Sequence, residues 1–310
     1  MQTPRDALTP DALAMLQTIA DTGSFAAAAR ALDLVPSALT YRVRQIEDAL
    51  DVLLFDRTSR QARMTEAGAE LLREGGRLLL EIDAVANRVK RVATGWEPQL
   101  TLAADGLMAR PVLMELACAF FQLEPPTRLR FRDETLSGTL EALTSGQADL
   151  ALGVSPSSGA MPGLHSQSMG SVGFVLAVAP HHPLATGDGV LGDDDLRAHR
   201  AVAVADSVQR GSGVTVSLLG GQDVFTVPTM QAKLDAQLRG LGSGFLPEPM
   251  ARPYIETGRL VVRHVARAPL VAHPRYVWRA STRPGRALQW WLDQLQSPVT
   301  RLALLEQHHH

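Results

Sequence analysis

Apolar residues recur at spacings of three and four as far as about residue 94, and beyond residue 98 they give way to short alternating runs. Thr9-Pro10-Asp11 reads as a cap, a first-turn proline and an acid at the positive end of a helix running to about Asp21, with Leu13, Leu16, Ile19 and Ala20 as its buried stripe. Ser24 then caps FAAAARAL, which sets Phe25, Ala28, Ala29 and Leu32 on one face. The chain breaks at Asp33-Leu34-Val35 and restarts at Pro36, where a missing N–H costs nothing. This second helix turns Leu39, Val43, Ile46 and Leu50 inward and leaves Ser37, Thr40, Tyr41, Arg42 and Arg44 outside. Two helices joined by about three residues, the second exposing hydroxyl, aromatic and guanidinium groups, match a helix-turn-helix with its recognition helix.

Val52 to Arg57 and Ala62 to Thr65 pair as a small hairpin, a wing around Thr58 to Gln61. Thr65 caps a long helix carrying Leu71, Leu72, Leu78, Leu79, Ile82, Val85, Val89 and Val92. Such a stripe either pairs with a second copy or packs on its own chain. After Gly95-Trp96-Glu97-Pro98, runs QLTLAAD, Met108 to Gln122, TRLRFRDE, Ser137 to Ser145 and ADLALGV alternate as βαβαβ, the form of an open parallel sheet flanked by helices. Ser155 to Gly163 is turn-rich and reads as a crossing into a second lobe. That lobe holds SVGFVLAVAP, HRAVAVADS, a hairpin-like VTVSLLGGQDVFTVP turning at Gly220-Gly221, a helix from Met230 to Arg239, GSGFLP and RLVVRHV. YVWRAS and a helix from Arg286 to Gln296 close the first lobe again.

The expected fold is α/β with an all-α head. A winged helix-turn-helix spans 6–64, a linker and dimerisation helix 65–94, and a two-lobed, periplasmic-binding-protein-like α/β domain 95–300. Lobe I covers about 95–160 and 266–300 and lobe II about 161–265. Residues 301–310 read as a tail ending in a purification-tag remnant, His308-His309-His310.

Composition narrows the partners. The chain has 310 residues, 45% of them hydrophobic and 20% charged, with a net charge of −2. Bulk charge gives no support for nucleic-acid binding, so any DNA contact must come from a local cluster of Arg42, Arg44, Arg57, Arg60 and Arg63, which otherwise form a solvated basic face. The single Cys118 excludes a disulfide framework and reads as a buried, inert thiol. No signal peptide and no apolar run of roughly 20 residues is found, so a cytoplasmic location away from membranes is expected.

The residues then resemble a known family. GSFAAAARAL, SALTYRVRQIEDAL, LFDRTSRQARMTEAG and ADLALGV stand where LysR-type transcriptional regulators have their helix-turn-helix, wing, linker start and regulatory strand, and the resemblance spans essentially the whole chain. More narrowly, VPSALTY, GWEPQLTL, LTSGQADLALGV and AVAVADS resemble the branch that includes enterobacterial quinol-responsive regulators of nitroaromatic sensing. Many members carry Ser-Gln-Pro or a similar polar cap where this chain has Val35-Pro36-Ser37, so the usual cap and its glutamine are absent. The resemblance implies binding to double-stranded promoter DNA as a dimer or dimer of dimers, a small-molecule effector, contact with RNA polymerase and no cofactor.

On DNA, the start of the recognition helix enters the major groove. That puts Pro36, Ser37, Thr40 and Tyr41 near bases, with Ser24 beside them, while Tyr41 could equally be a partly buried helix residue. Arg42 and Arg44 reach phosphate or guanine, and Arg57, Arg60 and Arg63 on the wing follow the backbone or the minor groove.

In the two-lobed part, ligands sit at the carboxyl ends of strands, here Asp105, Gly106, Met108, Glu134, Leu136, Ser137, Asp206, Ser207, Thr229 and Phe245. Asp105, Glu134 and Asp206 with no arginine aimed inward point to a neutral or hydroxylated aromatic effector, its ring on Met108, Leu136 or Phe245. The same acids are also ordinary helix caps at strand-to-helix turns. A carboxylate effector, an enzyme acting on the cleft ligand and an architectural DNA-bending protein without ligand are the alternatives. Catalysis and metal binding find no motif. His181-His182-Pro183 lacks metal spacing, and Gly240-Leu241-Gly242-Ser243-Gly244 follows a helix, the wrong order for a phosphate loop.

Overall fold

A computed structural model describes residues 3–56, 62–155, 162–208, 217–280 and 283–309, leaving aside the side chains of 87, 88, 90 and 91. The chain divides into two compact units, Met1–Val89 and Lys90–His310.

In the first unit, Thr3 and Asp6 close a capping box on a short helix α1 (Pro4–Ala7), which the apolar spacing had not signalled. Helix α2 (Pro10–Thr22) starts at the Thr9 cap and ends at Gly23, whose φ of 69° is the left-handed turn a glycine makes without strain. Helices α3 (Phe25–Ala31) and α4 (Pro36–Leu50) follow as the turn signals require. Leu16, Ile19, Ala28, Ala29, Leu39, Val43 and Ile46 bury together, joined by Leu54 and Phe55. Phe55 opens β1 (Phe55–Asp56), packs edge-on against Phe25 at 5.3 Å, and pairs antiparallel with Met64 of β2 (Arg63–Met64). Buried Glu47 accepts the Leu54 N–H at 2.8 Å, so an acid inside α4 terminates the approach to the wing. Helix α5 (Glu66–Thr94) begins on the Thr65 hydroxyl, which accepts the Gly68 N–H at 3.0 Å. Along it Leu78, Ile82, Val85, Val89 and Val92 are all exposed. Their spacing of four, three, four and three is the one a coiled-coil seam uses.

The second unit opens with β3 (Gln99–Asp105), α6 (Arg110–Phe121), β4 (Arg128–Glu134), α7 (Ser137–Thr144) and β5 (Leu150–Val154), the anticipated βαβαβ. The chain then adds β6 (Leu164–Ser168) before crossing to lobe II. There β7 (Val172–Val178), α8 (Asp193–Arg197), β8 (Ala201–Val204), β9 (Val224–Val227), α9 (Met230–Leu238), β10 (Gly244–Pro247), α10 (Glu248–Glu256), β11 (Val261–Arg263) and β12 (Val271–Ala272) follow. Finally β13 (Arg275–Arg279), α11 (Arg286–Gln296) and α12 (Pro298–Glu306) complete lobe I. Its sheet runs β4-β3-β5-β13-β6, with the first three strands parallel and β13 antiparallel to both neighbours. Leu100, Leu102, Leu150, Leu152, Phe120, Tyr276 and Trp291 form its core. Glu97 holds α11 in place, its carboxylate accepting the Gly285 N–H at 2.7 Å and the Ala287 N–H at 3.1 Å.

Three expectations are corrected, and a fourth falls partly outside the described residues. The crossing lies after β6 rather than at 155–163, because β6 pairs with β13 in the lobe I sheet, and the return comes after β12, which pairs with β7. Of the hairpin expected around Gly220-Gly221, Val214 to Val216 of the first arm lie outside the described residues; the second arm, β9, runs parallel to β8, anchored by Asp223: its carboxylate meets Arg200 at 2.7 Å and its carbonyl accepts the Ala201 N–H at 2.8 Å. Residues 301–306 are no tail but the end of α12, whose Leu304 and Leu305 are buried in the lobe I core. Cys118 is exposed, since Val112, Leu113, Ala117 and Phe120 give α6 its buried face and leave Met114, Cys118 and Phe121 on the other side.

Candidate functional sites

On the first unit, Ser37, Thr40, Tyr41 and Arg44 fall at helical spacing along one side of α4, and all four are exposed. Pro36 is the exposed first residue of the helix, and Val35 before it gives no side-chain cap bond, in keeping with the unusual Val35-Pro36-Ser37 start. Tyr41 is 63% exposed, which removes the buried reading; its hydroxyl accepts from Gln45 Nε2 at 3.1 Å. Thr40 donates its hydroxyl proton to the Pro36 carbonyl at 2.9 Å, so toward a base it can only accept. Ser24 spends its hydroxyl as the cap of α3, accepting the Ala27 N–H at 3.2 Å. Arg42, Arg44 and Arg63 are exposed, whereas Arg57 and Arg60 lie outside the described residues. Hydroxyl, phenol and guanidinium on one solvent-facing helix side can bond base edges and phosphates.

In the second unit the two lobes are bonded directly to one another. Ser207 of lobe II donates its hydroxyl to Glu134 Oε2 at 2.7 Å and accepts the Thr135 N–H at 2.9 Å. Thr135 Oγ1 donates to the Ala205 carbonyl at 2.6 Å. Asp206 accepts the Ser137 hydroxyl on one oxygen and the Gly138 N–H, at 3.2 Å, on the other. Asp206 thereby caps α7 from the opposite lobe, and the acid-as-cap reading holds for it. Arg132 takes Glu134 Oε1 at 2.9 and 3.0 Å, so this carboxylate is neutralised.

Asp105 is buried at the end of β3, its two oxygens accepting the Leu107 and Leu136 N–H groups, each at 2.9 Å. Burial nevertheless pushes its carboxyl up to about 6, with the Asp206 charge adding to the rise and the backbone bonds and the Thr139 hydroxyl opposing it. Leu136, which donates to it, has φ 52° and ψ −119°, a conformation an L-residue adopts only under constraint.

Beside this clasp lies a cavity of about 70 Å³ that brings together Asp105, Gly106, Met108, Glu134, Ser207 and Thr229. Leu136, Ser137 and Asp206 stand in the clasp next to it, and Phe245 does not join them: it packs with Leu219 and Val261 against the lobe II core. The cavity also has Arg110, ion-paired with Asp133 at 2.7 Å, on its wall. The expectation that no arginine faces inward is thus overturned by Arg110 and Arg132. Thr135 and Pro228, within the strand-end stretches expected to face the cleft, line it too, whereas Leu113 of α6 and Asp133 of β4 line it without having been anticipated. The volume is well under the roughly 300 Å³ of ordinary small-molecule pockets, so an aromatic guest requires the lobes to part. Among the described residues no cluster of His, Cys, Asp and Glu could hold a metal ion, and no helix is long and apolar enough to cross a membrane.

Residues 10–69 match the family model of the bacterial regulatory helix-turn-helix protein, lysR family, and residues 93–298 match that of the LysR substrate binding domain. The HTH-type transcriptional regulator YeeY of Escherichia coli (strain K12) is 33% identical over 285 residues, covering 92% of each chain. The probable HTH-type transcriptional regulator YhaJ of the same organism is 36% identical over 263 residues, 83% of this chain and 86% of that one. Among solved structures, full-length CbnR complexed with its target DNA superposes with a TM-score of 0.61 at 19% identity, over 94% of this chain and 99% of that one, a likeness of fold. These families and relatives are transcriptional regulators, not enzymes. The chain therefore belongs to the LysR family: it is a DNA-binding transcriptional regulator with a C-terminal effector-binding domain.

Proposed function

We propose that this regulator reads promoter DNA through the exposed face Ser37, Thr40, Tyr41 and Arg44 of α4, and that a hydroxylated aromatic, such as a quinol or phenol, is its effector. Two heads are brought to two half-sites by pairing of the α5 seam, as a dimer or dimer of dimers, and the bound assembly meets RNA polymerase. The effector enters the cleft beside Asp105 and exchanges its own hydroxyls for those of Ser207 and Ser137 at the acids Glu134 and Asp206. A ligand of this kind alters the DNA-bound state only by favouring one lobe arrangement over another. The clasp carries this reading: in the bonds between the lobes described above a hydroxyl donates or accepts or a carboxylate accepts, contacts that a polyhydroxylated ring can replace. The sequence resemblance to quinol-responsive regulators points the same way.

The test has two halves. A thermal-shift screen of phenols, quinols and simple carboxylates on the full chain is expected to yield a phenolic stabiliser. Binding of simple carboxylates with none of the phenols contradicts the effector class. For the DNA half, Arg44→Ala should weaken operator binding by roughly 1–3 kcal/mol if it contacts a base, or uniformly over sequences if it grips phosphate, and unchanged affinity contradicts the reading face.

A further inference from the structure

Helix α7 has no cap of its own. Leu136 stands at its cap position without a side-chain bond, so the first turn takes its acceptor from lobe II, 68 residues along the chain. There the Asp206 carboxylate accepts the Ser137 hydroxyl on one oxygen and the Gly138 N–H, at 3.2 Å, on the other, which also accepts the Val208 N–H at 3.1 Å. The amino end of a helix, with its unpaired N–H groups and positive dipole end, is a place that favours an anion.

The seat is shaped for an occupant. A Cβ on Gly138 would stand 2.0 Å from Ser207 Oγ and 2.9 Å from the Ser207 carbonyl carbon, so a glycine lets residues 206 and 207 lie against the turn. With them withdrawn, the same glycine leaves the turn bare. The cavity adjoins this spot, since Glu134, Thr135 and Ser207 belong to both. One group of the turn is also unused: the Thr139 hydroxyl is fully buried, faces Asp105 on the cavity wall and completes no hydrogen bond. Native structures seldom leave such a group idle.

The present occupant shows what the seat binds. Withdrawal of Ala205 to Ser207 leaves four donors on lobe I, the Thr135 and Gly138 N–H groups and the Thr135 and Ser137 hydroxyls. It leaves one acceptor, Glu134 Oε2, whose companion oxygen is held by Arg132. Such a set calls for a ligand rich in accepting oxygen with a single proton to give. Hydroxyls alone fit it poorly, because each brings a proton that needs an acceptor of its own. A carboxylate accepts on both oxygens and replaces the negative charge that Asp206 takes away, so the exchange leaves the charge beside Asp105 and Glu134 unchanged.

We infer that Asp206 and Ser207 are a tethered stand-in for the effector, filling its seat in the ligand-free protein, and that the effector is a hydroxylated aromatic acid. This rests on the cleft being the effector site. The ligand hydroxyl takes the place of Ser207 at Glu134 and Thr135, and the ligand carboxylate takes the place of Asp206 at Ser137 and Gly138. A plain quinol instead keeps Asp206 as the acceptor of its second hydroxyl. Binding and opening of the clasp are then one competition, in which Asp206 holds the apparent affinity for the acid down.

Calorimetry on the full chain with hydroquinone, benzoate, 3-hydroxybenzoate and 4-hydroxybenzoate, repeated with Asp206→Ala, Asp206→Asn and Ser207→Ala, tests this. In the wild type one of the hydroxybenzoates should bind more tightly than hydroquinone or benzoate. Asp206→Ala should tighten that hydroxybenzoate and benzoate by about tenfold, the gain from vacating a seat filled in roughly nine molecules of ten, and leave hydroquinone no tighter. Asp206→Asn keeps a capping side chain, and with it the fold, but not the charge, and should give the same pattern at smaller size. Ser207→Ala should tighten hydroquinone and the hydroxybenzoate and leave benzoate unchanged. Equal tightening of every ligand by all three substitutions would make the two residues a latch only and overturn the stand-in, as would a weaker hydroxybenzoate in Asp206→Ala. Hydroquinone binding without either hydroxybenzoate overturns the acid and upholds the phenolic cleft. Benzoate binding without any of the phenols upholds the seat on α7 and overturns the phenolic reading. Binding of none of the four, to any form, overturns both.

Discussion

The hydroxyl of Ser207 spans the cleft, donating to Glu134 Oε2 at 2.7 Å while accepting the Thr135 N–H at 2.9 Å. One atom of lobe II thus satisfies a side chain and a backbone group of lobe I. Ser207→Ala should lower stability by about 1–2 kcal/mol, since it strands a carboxylate oxygen and a buried N–H together. A double-mutant cycle with Glu134→Gln, followed by thermal unfolding, should show coupling between the two; additive losses would mean that the bond contributes nothing of its own.

Leu136 supplies a second, independent measure of the clasp. Its φ of 52° and ψ of −119° are held by the N–H bond to Asp105 and by the start of α7. Strain of this kind is typically about 1–3 kcal/mol. Leu136→Gly should therefore be more stable than Leu136→Ala by about 1 kcal/mol, the reverse of the usual order of these residues. Equal or lower stability of the glycine variant in chemical denaturation would show that the conformation is not strained.

Asp105 makes the domain's stability depend on pH in a definite direction. Its folded carboxyl titrates near 6 against an ordinary 3.8, so between these values the folded protein holds a proton that the unfolded chain releases. The stabilisation is complete below the unfolded value and is lost as pH rises through about 6. A shift of this size corresponds to roughly 3 kcal/mol between the two limits. Asp105→Asn abolishes the titration, so its deficit relative to the wild type should shrink on going from pH 4 to pH 7.5 in denaturant melts. A deficit that stays constant would place the origin of the pH dependence elsewhere.

Much of this architecture was legible because its signals are local. Thr9, Ser24, Thr65 and Thr229 announce their helices by capping, and the alternation of β3, α6, β4, α7 and β5 needs nothing beyond residue 154. What escaped depends on partners far along the chain. Strand β6, LHSQS, is polar and mostly exposed, and only its pairing with β13, about a hundred residues later, makes it a strand. The same distance hid the cleft's chemistry. Asp105 and Glu134 could be placed at strand ends, but that Asp206 and Ser207 would satisfy lobe I from the other lobe has no trace in spacing. Arg110 meets Asp133 across 23 residues and leaves no local trace, whereas Arg132 and Glu134, two apart on β4 and so on one face of the strand, form a pair that spacing alone could have shown. For α12 the local signals are present in the sequence, Ser297 as cap and Pro298 in the first turn.

The seam on α5 predicts its own disruption. Leu78, Ile82, Val85, Val89 and Val92 are exposed in the single chain, with Val92 at 87%. Ile82→Asp with Val89→Asp should leave the helical content of the chain unchanged and convert the paired species to monomer in sedimentation velocity, with loss of DNA affinity because each head then binds alone. An unchanged sedimentation coefficient would assign the seam to contacts within one chain.

In the proposed mechanism a ligand in the cleft changes how the heads engage DNA. Its most direct test is a footprint on DNA selected by the full-length protein from a random-sequence pool, recorded with and without a phenolic ligand shown by calorimetry to bind. The footprint should change in length or in the position of its hypersensitive bands when the ligand is present, and should not change in a variant that cannot bind it. An identical footprint with the cleft saturated would contradict the mechanism.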